Sequence, residues 1–132
     1  MKFHYQFHVD NIQKLNQWHG GKPLDVEQVM LMRWLLEFIK TGKMDKLQHG
    51  NGRFYYRVSH PYITSQFSVF SISQVTINRK LKDLCHKKIL YTAVINEGME
   101  VERHGSKAGY NFNPEALAIL SPKEYQQLQG SL

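Results

Sequence analysis

An α+β fold, mainly helical with a small β-wing, is predicted by three features of this sequence of 132 residues. Residues 71–90 are basic and have helical periodicity, and a short helical stretch lies directly before them. Two runs rich in β-branched and aromatic residues follow, separated by a polar loop. Two helices joined by a tight turn, with strand, loop and strand behind the second helix, make a winged helix. We therefore predict one winged-helix domain over residues 1–132, with its core over about 7–113 and short C-terminal helices over 114–132.

The first helix is predicted close to the N-terminus. Residues 3–9 alternate aromatic and polar side chains, so a short strand or an extended lead-in is expected there. Asp10 is then expected to cap a helix that ends at the Gly20-Gly21 pair. The apolar stripe of this helix consists of Ile12, Leu15 and Trp18.

The second helix is predicted to begin at Asp25, because Gln28 three residues later completes a capping box. It is expected to end at Thr41-Gly42. Apolar residues occupy most of its circumference. Such a helix lies at the centre of a fold or is partly covered by a second copy of the protein, so a homodimer is one hypothesis.

A loop, a strand and a short helix are predicted between the second helix and the basic stretch. Residues 43–52 are polar and glycine-rich, which is typical of a loop. Residues 53–59 contain aromatic and β-branched side chains that favour a short strand. Ser59 can cap the next helix, with Pro61 in its first turn, and this helix of about two turns leads into the basic stretch.

The basic helix is predicted to begin at Ser71, with Gln74 completing a capping box. Ile77, Leu81 and Leu84 recur at i, i+4 and i+7 and indicate its buried side. Five Lys/Arg residues stand against one acidic residue between positions 71 and 90, in a chain of net charge +6. Phosphate is the expected counter-charge. The side opposite the apolar stripe carries Val75, Asn78, Arg79, Lys82 and His86.

A wing and one or two short helices are predicted after the basic helix. Residues 89–95 form an uncharged β-rich run, residues 96–109 form a polar loop, and residues 110–113 form the second strand. Two pairs, Asn113-Pro114 and Ser121-Pro122, each place a cap before a proline, and Glu124 completes a second capping box at Ser121.

Four segments resemble the N-terminal winged-helix domains of phage and plasmid replication proteins, the replisome organisers and replication initiators. They are HVDNIQKL, the helix that contains Trp34, RFYYRVS and, above all, SQVTINRKLKDLCHKKIL. In these families a Ser-x-x-Thr-Ile-x-Arg helix start is followed by Leu-x-x-Leu and a basic residue before the first wing strand. Bacterial winged-helix repressors use a similar pattern. The likeness spans about residues 7–113.

The resemblance implies a role for individual residues. It directs Ser73, Gln74, Thr76, Asn78 and Arg79 towards DNA, and it places Ile77, Leu81, Leu84, Ile89 and Leu90 in the core. The sequence departs from the family pattern at Lys88, where a glycine often ends the helix in a left-handed turn. It also departs in the wing, where three acidic residues would repel phosphate: Glu97, Glu100 and Glu102.

Chemical considerations assign roles within a major groove. Arg79 is the best candidate for a bidentate contact to guanine, and Asn78 or Gln74 for adenine. Phosphate contacts are expected from Lys80, Lys82 and Lys87. On the wing, a minor groove or the backbone is within reach of Arg103, His104 and Lys107, which can equally be solvated loop residues.

The sequence lacks the motifs of several functional classes. There is no Gly-x-Ser-x-Gly and no P-loop, and among seven histidines only His4 and His8 lie within a turn of each other. We therefore expect no enzyme, no cofactor and no metal. The single Cys85 excludes an internal disulfide, and no apolar run reaches the roughly 18 residues that span a bilayer. A cytoplasmic location, in a bacterium or a phage-infected host, and no membrane contact are expected.

These observations predict a protein that binds double-stranded DNA in a sequence-dependent way during phage or plasmid replication initiation, with the helix over residues 71–88 in the major groove. A winged-helix transcriptional regulator is one alternative, because contacts with an operator and with an origin are physically alike. The other is a protein-interaction module without DNA binding, in which the acidic wing and the apolar second helix bind a replication or regulatory protein.

Overall fold

Six α-helices and a small four-stranded antiparallel sheet form an α+β fold, mostly helical, in the residues that this computed structural model describes: 7–43, 46–48, 52–95 and 107–132. The helices are α1 (Val9–His19), α2 (Val26–Lys40), α3 (His60–Gln66), α4 (Gln74–His86), α5 (Pro114–Leu120) and α6 (Pro122–Gln127). The strands are β1 (Lys46–Gln48), β2 (Phe54–Arg57), β3 (Leu90–Ile95) and β4 (Lys107–Phe112). Two short 3-10 helices cover Ser68–Phe70 and Gln129–Ser131.

The start of α1 differs from the prediction. The helix begins at Val9, its cap residue His8 makes no side-chain cap bond, and Asp10 lies inside the first turn. There its carboxylate faces the positive end of the helix dipole, which explains why an acid is favourable without capping. Residues 3–6 of the expected lead-in lie outside the described residues, whereas His8 is extended. The end at Gly20 is confirmed, because this residue is left-handed (φ 71°) and its N–H bonds Asn16 O.

The capping box of α2 is confirmed. Gln28 N–H donates to Asp25 Oδ1 at 2.8 Å, and Asp25 N–H donates to Gln28 Oε1 at 3.2 Å. Six apolar side chains of α2 are buried within the chain, whereas Val26 at its first position is 74% exposed. The buried ones are Leu31, Met32, Trp34, Leu35, Leu36 and Ile39.

The sheet has the strand order β1-β2-β4-β3, with antiparallel pairing throughout. The strand predicted over 53–59 is confirmed as β2, but the loop predicted over 43–52 is wrong at residues 46–48. These residues pair with β2, with Leu47 opposite Tyr55. A strand this short has no readable alternation, and it exists because β2 offers it a hydrogen-bonding edge. β2 also pairs with β4, where Tyr56 lies opposite Tyr110.

The predicted cap of α4 is wrong by two residues. Ser73 is the cap residue, and its hydroxyl accepts a hydrogen bond from Thr76 N–H at 3.2 Å. Ser71 has φ 56°, a left-handed conformation that ends the preceding 3-10 helix, so it forms no capping box with Gln74. The cap at Ser59, with Pro61 in the first turn of α3, is confirmed.

The core lies between the helices and one face of the sheet. The predicted stripe of α4 is confirmed, because Ile77, Leu81 and Leu84 are buried, as are Ile89 and Leu90 behind it. α4 packs against α2 and α3. Its opposite side therefore faces solvent.

The C-terminal end of α4 is a Schellman motif built on a lysine. Lys88 has φ 64°, its N–H bonds Cys85 O at 3.1 Å, and Ile89 N–H bonds Leu84 O at 3.1 Å. Asn113, directly after β4, donates through Nδ2 to Lys88 O at 2.8 Å. The left-handed turn that a glycine would usually adopt is thus kept although a side chain is present.

We expect Lys88→Gly to raise the free energy of unfolding by about 0.5–1 kcal/mol, because a Cβ is unfavourable at positive φ. Urea denaturation measures the change. Lys88→Ala is the matched control, since it removes the same charge and keeps the Cβ. An equal gain in both variants would assign the effect to charge and contradict the backbone explanation.

The two C-terminal helices are confirmed, but only one of their predicted caps is. Asn113 Oδ1 accepts from Glu115 N–H at 3.1 Å, as a cap for α5. Ser121 makes no cap bond to the backbone of α6, so the second capping box is wrong. Its hydroxyl instead donates to Glu124 Oε1 at 2.8 Å, because that carboxylate is turned inward towards α2.

Candidate nucleic-acid interface

The solvent-facing side of α4 carries several of the side chains that the sequence predicts to face DNA. Val75, Arg79, Lys82 and His86 are all exposed and fall within about 60° of the helix circumference at 100° per residue. Gln74 is exposed at the beginning of the same helix. We call the set of Gln74, Val75, Arg79, Lys82 and His86 the exposed face of α4.

Two cations on this face have no counter-ion in the part of the chain that the structure describes. Arg79 and Lys82 form no ion pair and no hydrogen bond with any other described residue. Because the other side of α4 is fixed in the core, their positions along the helix are fixed too. Both side chains are therefore available to an anionic ligand that lies along α4.

Lys80 is placed differently. Its Nζ lies 2.5 Å from Asp25 Oδ2 and 3.2 Å from Glu27 Oε1, and only 12% of the side chain is exposed. The hydrogen bond to Asp25 is the main reason why the pKa of Lys80 is raised. Its predicted contact with phosphate stays a prediction, and it requires phosphate to replace these two carboxylates.

Lys87 is also paired within the chain. Its Nζ lies 2.5 Å from Asp83 Oδ2, and 11% of the side chain is exposed. The same carboxylate oxygen accepts from Gln28 Nε2 at 2.7 Å, so the residue that completes the capping box of α2 also holds α4. The hydrogen bonds from Lys87 and Gln28 lower the pKa of Asp83. The phosphate contact predicted for Lys87 is likewise untested.

An open cleft of about 490 Å³ lies between the start of α2 and the flank of α4. Its walls carry both charges, and Arg79 reaches it from the exposed face. Sequence reasoning identified Asp25 and Gln28 only as a helix cap and missed their role beside α4. No local pattern could have revealed that role, because it depends on how α2 packs on α4. The lining residues are Lys22, Pro23, Asp25, Gln28, Arg79, Lys80, Asp83 and Lys87.

Three further residues predicted to face DNA lie at the beginning or on the flank of α4. Ser73 is exposed and its hydroxyl donates to Thr76 Oγ1 at 3.0 Å, while Thr76 is half-buried. Asn78 is half-buried, and its Oδ1 atom is inaccessible to solvent and has no hydrogen-bond partner among the described residues. A bidentate contact to adenine uses both Oδ1 and Nδ2. Asn78 therefore has to change rotamer before it can make that contact.

The predicted wing contacts cannot be located. Arg103 and His104 lie outside the described residues, as do Glu97, Glu100 and Glu102. Lys107 is the first residue of β4, and only its backbone is described. The strands that would carry a wing, β3 and β4, pair in register from Leu90 with Phe112 to Ile95 with Lys107.

The described residues were compared with the requirements of a metal site, a reactive thiol and a membrane-spanning helix. Across residues 7–43, 46–48, 52–95 and 107–132, no group of three His, Cys, Asp or Glu side chains is arranged to hold a metal ion. Burial raises the pKa of the Cys85 thiol to about 11, so it stays protonated near neutral pH. None of the helices in this part of the chain has the length and apolar character needed to cross a bilayer.

Comparison of the chain with protein-family models, with curated proteins and with solved structures finds no significant match.

Proposed function

We propose that this chain is a winged-helix domain that binds double-stranded DNA in a sequence-dependent way, with the exposed face of α4 in the major groove. The proposal depends above all on Arg79 and Lys82, two cations without a partner among the described residues, on a helix whose other side is buried. A helix in this position can enter the major groove, which is wide enough to admit it. Cations that already have carboxylate partners would contribute much less.

The order of elements supports the winged-helix part of the proposal. α3 and α4 are joined by residues 67–73, which include the 3-10 helix Ser68–Phe70 and make a longer connection than a simple turn. β3 and β4 follow α4 as an antiparallel pair, and β2 comes before α3 and pairs with β4. A helix-turn-helix followed by a strand pair has this order. β3 begins four residues after α4 ends, and the side chains of the exposed face of α4 are solvent-accessible in the described part of the chain.

We assign the domain to phage or plasmid replication initiation on the sequence resemblance, with transcriptional regulation as the alternative. The protein-interaction module had two supporting observations. One was the apolar α2, of which six side chains are buried by its own chain while Val26 is exposed. The other was the acidic wing, which lies outside the described residues. Double-stranded DNA is therefore the partner that the described surface favours.

Titration with random-sequence duplex DNA at two salt concentrations tests the proposed function. Two to three cations on α4 predict a slope of log K against log[salt] of about −1.8 to −2.7, or a loss of about 12- to 42-fold between about 50 and 200 mM salt. Fluorescence anisotropy of a labelled duplex measures it. Absence of binding at about 50 mM salt would overturn the proposal and favour the interaction module.

A variant that releases Lys80 is expected to bind DNA more tightly. The double substitution Asp25→Asn and Glu27→Gln removes both carboxylates from Lys80 and keeps an oxygen that can cap α2. Freeing one cation should make the salt slope steeper by about one.

The matched control for this variant is Asp10→Asn with Glu115→Gln. It changes the net charge equally, and both carboxylates are exposed on other helices. An identical gain in the two double variants would mean that net charge, and not the release of Lys80, sets the affinity.

A further inference from the structure

Val75 is an apolar side chain that is exposed on α4. The side chain is 78% exposed at the second position of α4, although valine lowers helix propensity and gains little from this environment. A single exposed valine is ordinary by itself. This one lies within the cationic exposed face of α4, where a ligand of opposite charge would cover it.

The distance between Val75 and Arg79 limits how far apart the base pairs that they contact can be. The two residues are four apart, one turn of α4, so their Cβ atoms are neighbours at about 5–6 Å. Successive base pairs are about 3.4 Å apart along the duplex. Side chains one helical turn apart therefore face base pairs that are the same or at most about two steps apart.

The chemistry of the major groove leaves one apolar partner for such a side chain. Each base edge there offers hydrogen-bond donors and acceptors, and only thymine adds an apolar group, its C5 methyl. Valine has no polar atom with which to bond a donor or acceptor, whereas its two methyl groups can cover that methyl. N-terminal residues of a helix in the major groove are those that reach base edges.

We infer that Val75 reads the methyl group of a thymine within about two base pairs of the base contacted by Arg79. This inference rests on the proposed function and adds to it one element of the recognised sequence. The preferred site contains a thymine at that place, and its methyl group, not its hydrogen-bonding edge, is what Val75 recognises.

The test replaces thymine by deoxyuridine, which lacks only the methyl group. The preferred duplex is first selected from a random library by the wild-type protein, and each thymine is then replaced singly. Deoxyuridine should weaken binding about fourfold at one position, which is the effect of one buried methyl group. That position should lie within about two base pairs of the base pair whose recognition is lost in Arg79→Ala. Val75→Ala should bind the thymine duplex several-fold more weakly and should no longer distinguish it from the deoxyuridine duplex at that position.

Val69→Ala is the control variant. Val69 is 81% exposed, but it lies in the 3-10 helix before α4 and outside the exposed face. It should keep the full preference for thymine over deoxyuridine.

The possible outcomes separate the inference from the proposed function. The inference would be overturned, while DNA binding stands, if Val75→Ala still distinguished the two duplexes. It would also be overturned if no thymine-to-deoxyuridine replacement weakened binding by the wild-type protein. Failure of the wild-type protein to bind any duplex would overturn both. Circular dichroism confirms that each variant is folded.

Discussion

Replacement of Arg79 by alanine is expected to weaken binding to the preferred DNA site by about 1–3 kcal/mol, or roughly 5- to 150-fold. The guanidinium is exposed, has no partner in the described part of the chain and is held on a helix with a buried opposite side. An arginine in the major groove can donate two hydrogen bonds to O6 and N7 of guanine, a geometry that lysine does not reproduce. The loss should therefore be concentrated at one G·C pair.

Lys82→Ala is the matched comparison for Arg79→Ala. Both residues are exposed on the same face and each substitution removes one positive charge. Lys82→Ala should weaken all duplexes alike and reduce the salt slope by about one. Competition with duplexes that differ at single base pairs measures both effects. Equal, sequence-independent losses for the two variants would show that Arg79 contacts only phosphate.

Substitution of Glu124 by glutamine is expected to lower the free energy of unfolding by about 3 kcal/mol, equivalent to about 10 °C in Tm. The carboxylate joins α6 to α2 through Arg33 Nη1 at 2.6 Å and Lys40 Nζ at 2.9 Å. Only 11% of the Glu124 and Arg33 side chains is exposed, so the variant leaves a buried guanidinium with less compensation. We take the lower end of the range for such pairs because Lys40 is 34% exposed.

The pH dependence of this effect has a defined sign. Burial acts against the charged form of Glu124, but hydrogen bonds from Arg33, Lys40 and Ser121 outweigh it and lower the pKa below the ordinary 4.5. The carboxylate therefore stabilises the fold above that value, and its contribution is lost as the pH falls through the lowered pKa.

Thermal denaturation of wild type and Glu124→Gln across this pH range measures the effect. The difference in unfolding free energy should be constant near neutral pH and shrink in acid. Glu115→Gln, at an exposed position of α5, should change stability by less than about 0.5 kcal/mol throughout. If the loss of unfolding free energy in Glu124→Gln stayed the same at low pH, the stabilisation would come from the packing of this side chain and not from its charge.

Much of α4 could be predicted from sequence because its period is a local property. Ile77, Leu81 and Leu84 define the buried side by spacing alone, and the exposed position of Arg79 follows from it. The start of α4 could not be predicted as well. Ser71 and Ser73 are equally good caps, and the 3-10 helix before them decides between the two through the left-handed backbone of Ser71.

The electrostatics of the candidate interface depend on contacts between distant segments. The sequence shows Lys80 and Lys87 as part of one basic run. In the fold, Lys80 forms ion pairs with Asp25 and Glu27, and Lys87 forms an ion pair with Asp83. The i, i+4 spacing of Asp83 and Lys87 could have indicated their pairing. Nothing local indicates that α2 begins beside α4, and β1 was missed for the same reason, since its partner strand creates it.

The pairing of β2 with β4 has a consequence for how the domain folds. Tyr56 and Tyr110 lie on either side of a long loop of chain that contains α3, α4 and β3, and their pairing closes it. Closing such a loop costs chain entropy that is recovered only when the enclosed helices dock on the core. The two helices and the sheet should therefore unfold together as one cooperative unit, and a peptide cut down to α3 and α4 should not hold its shape in solution.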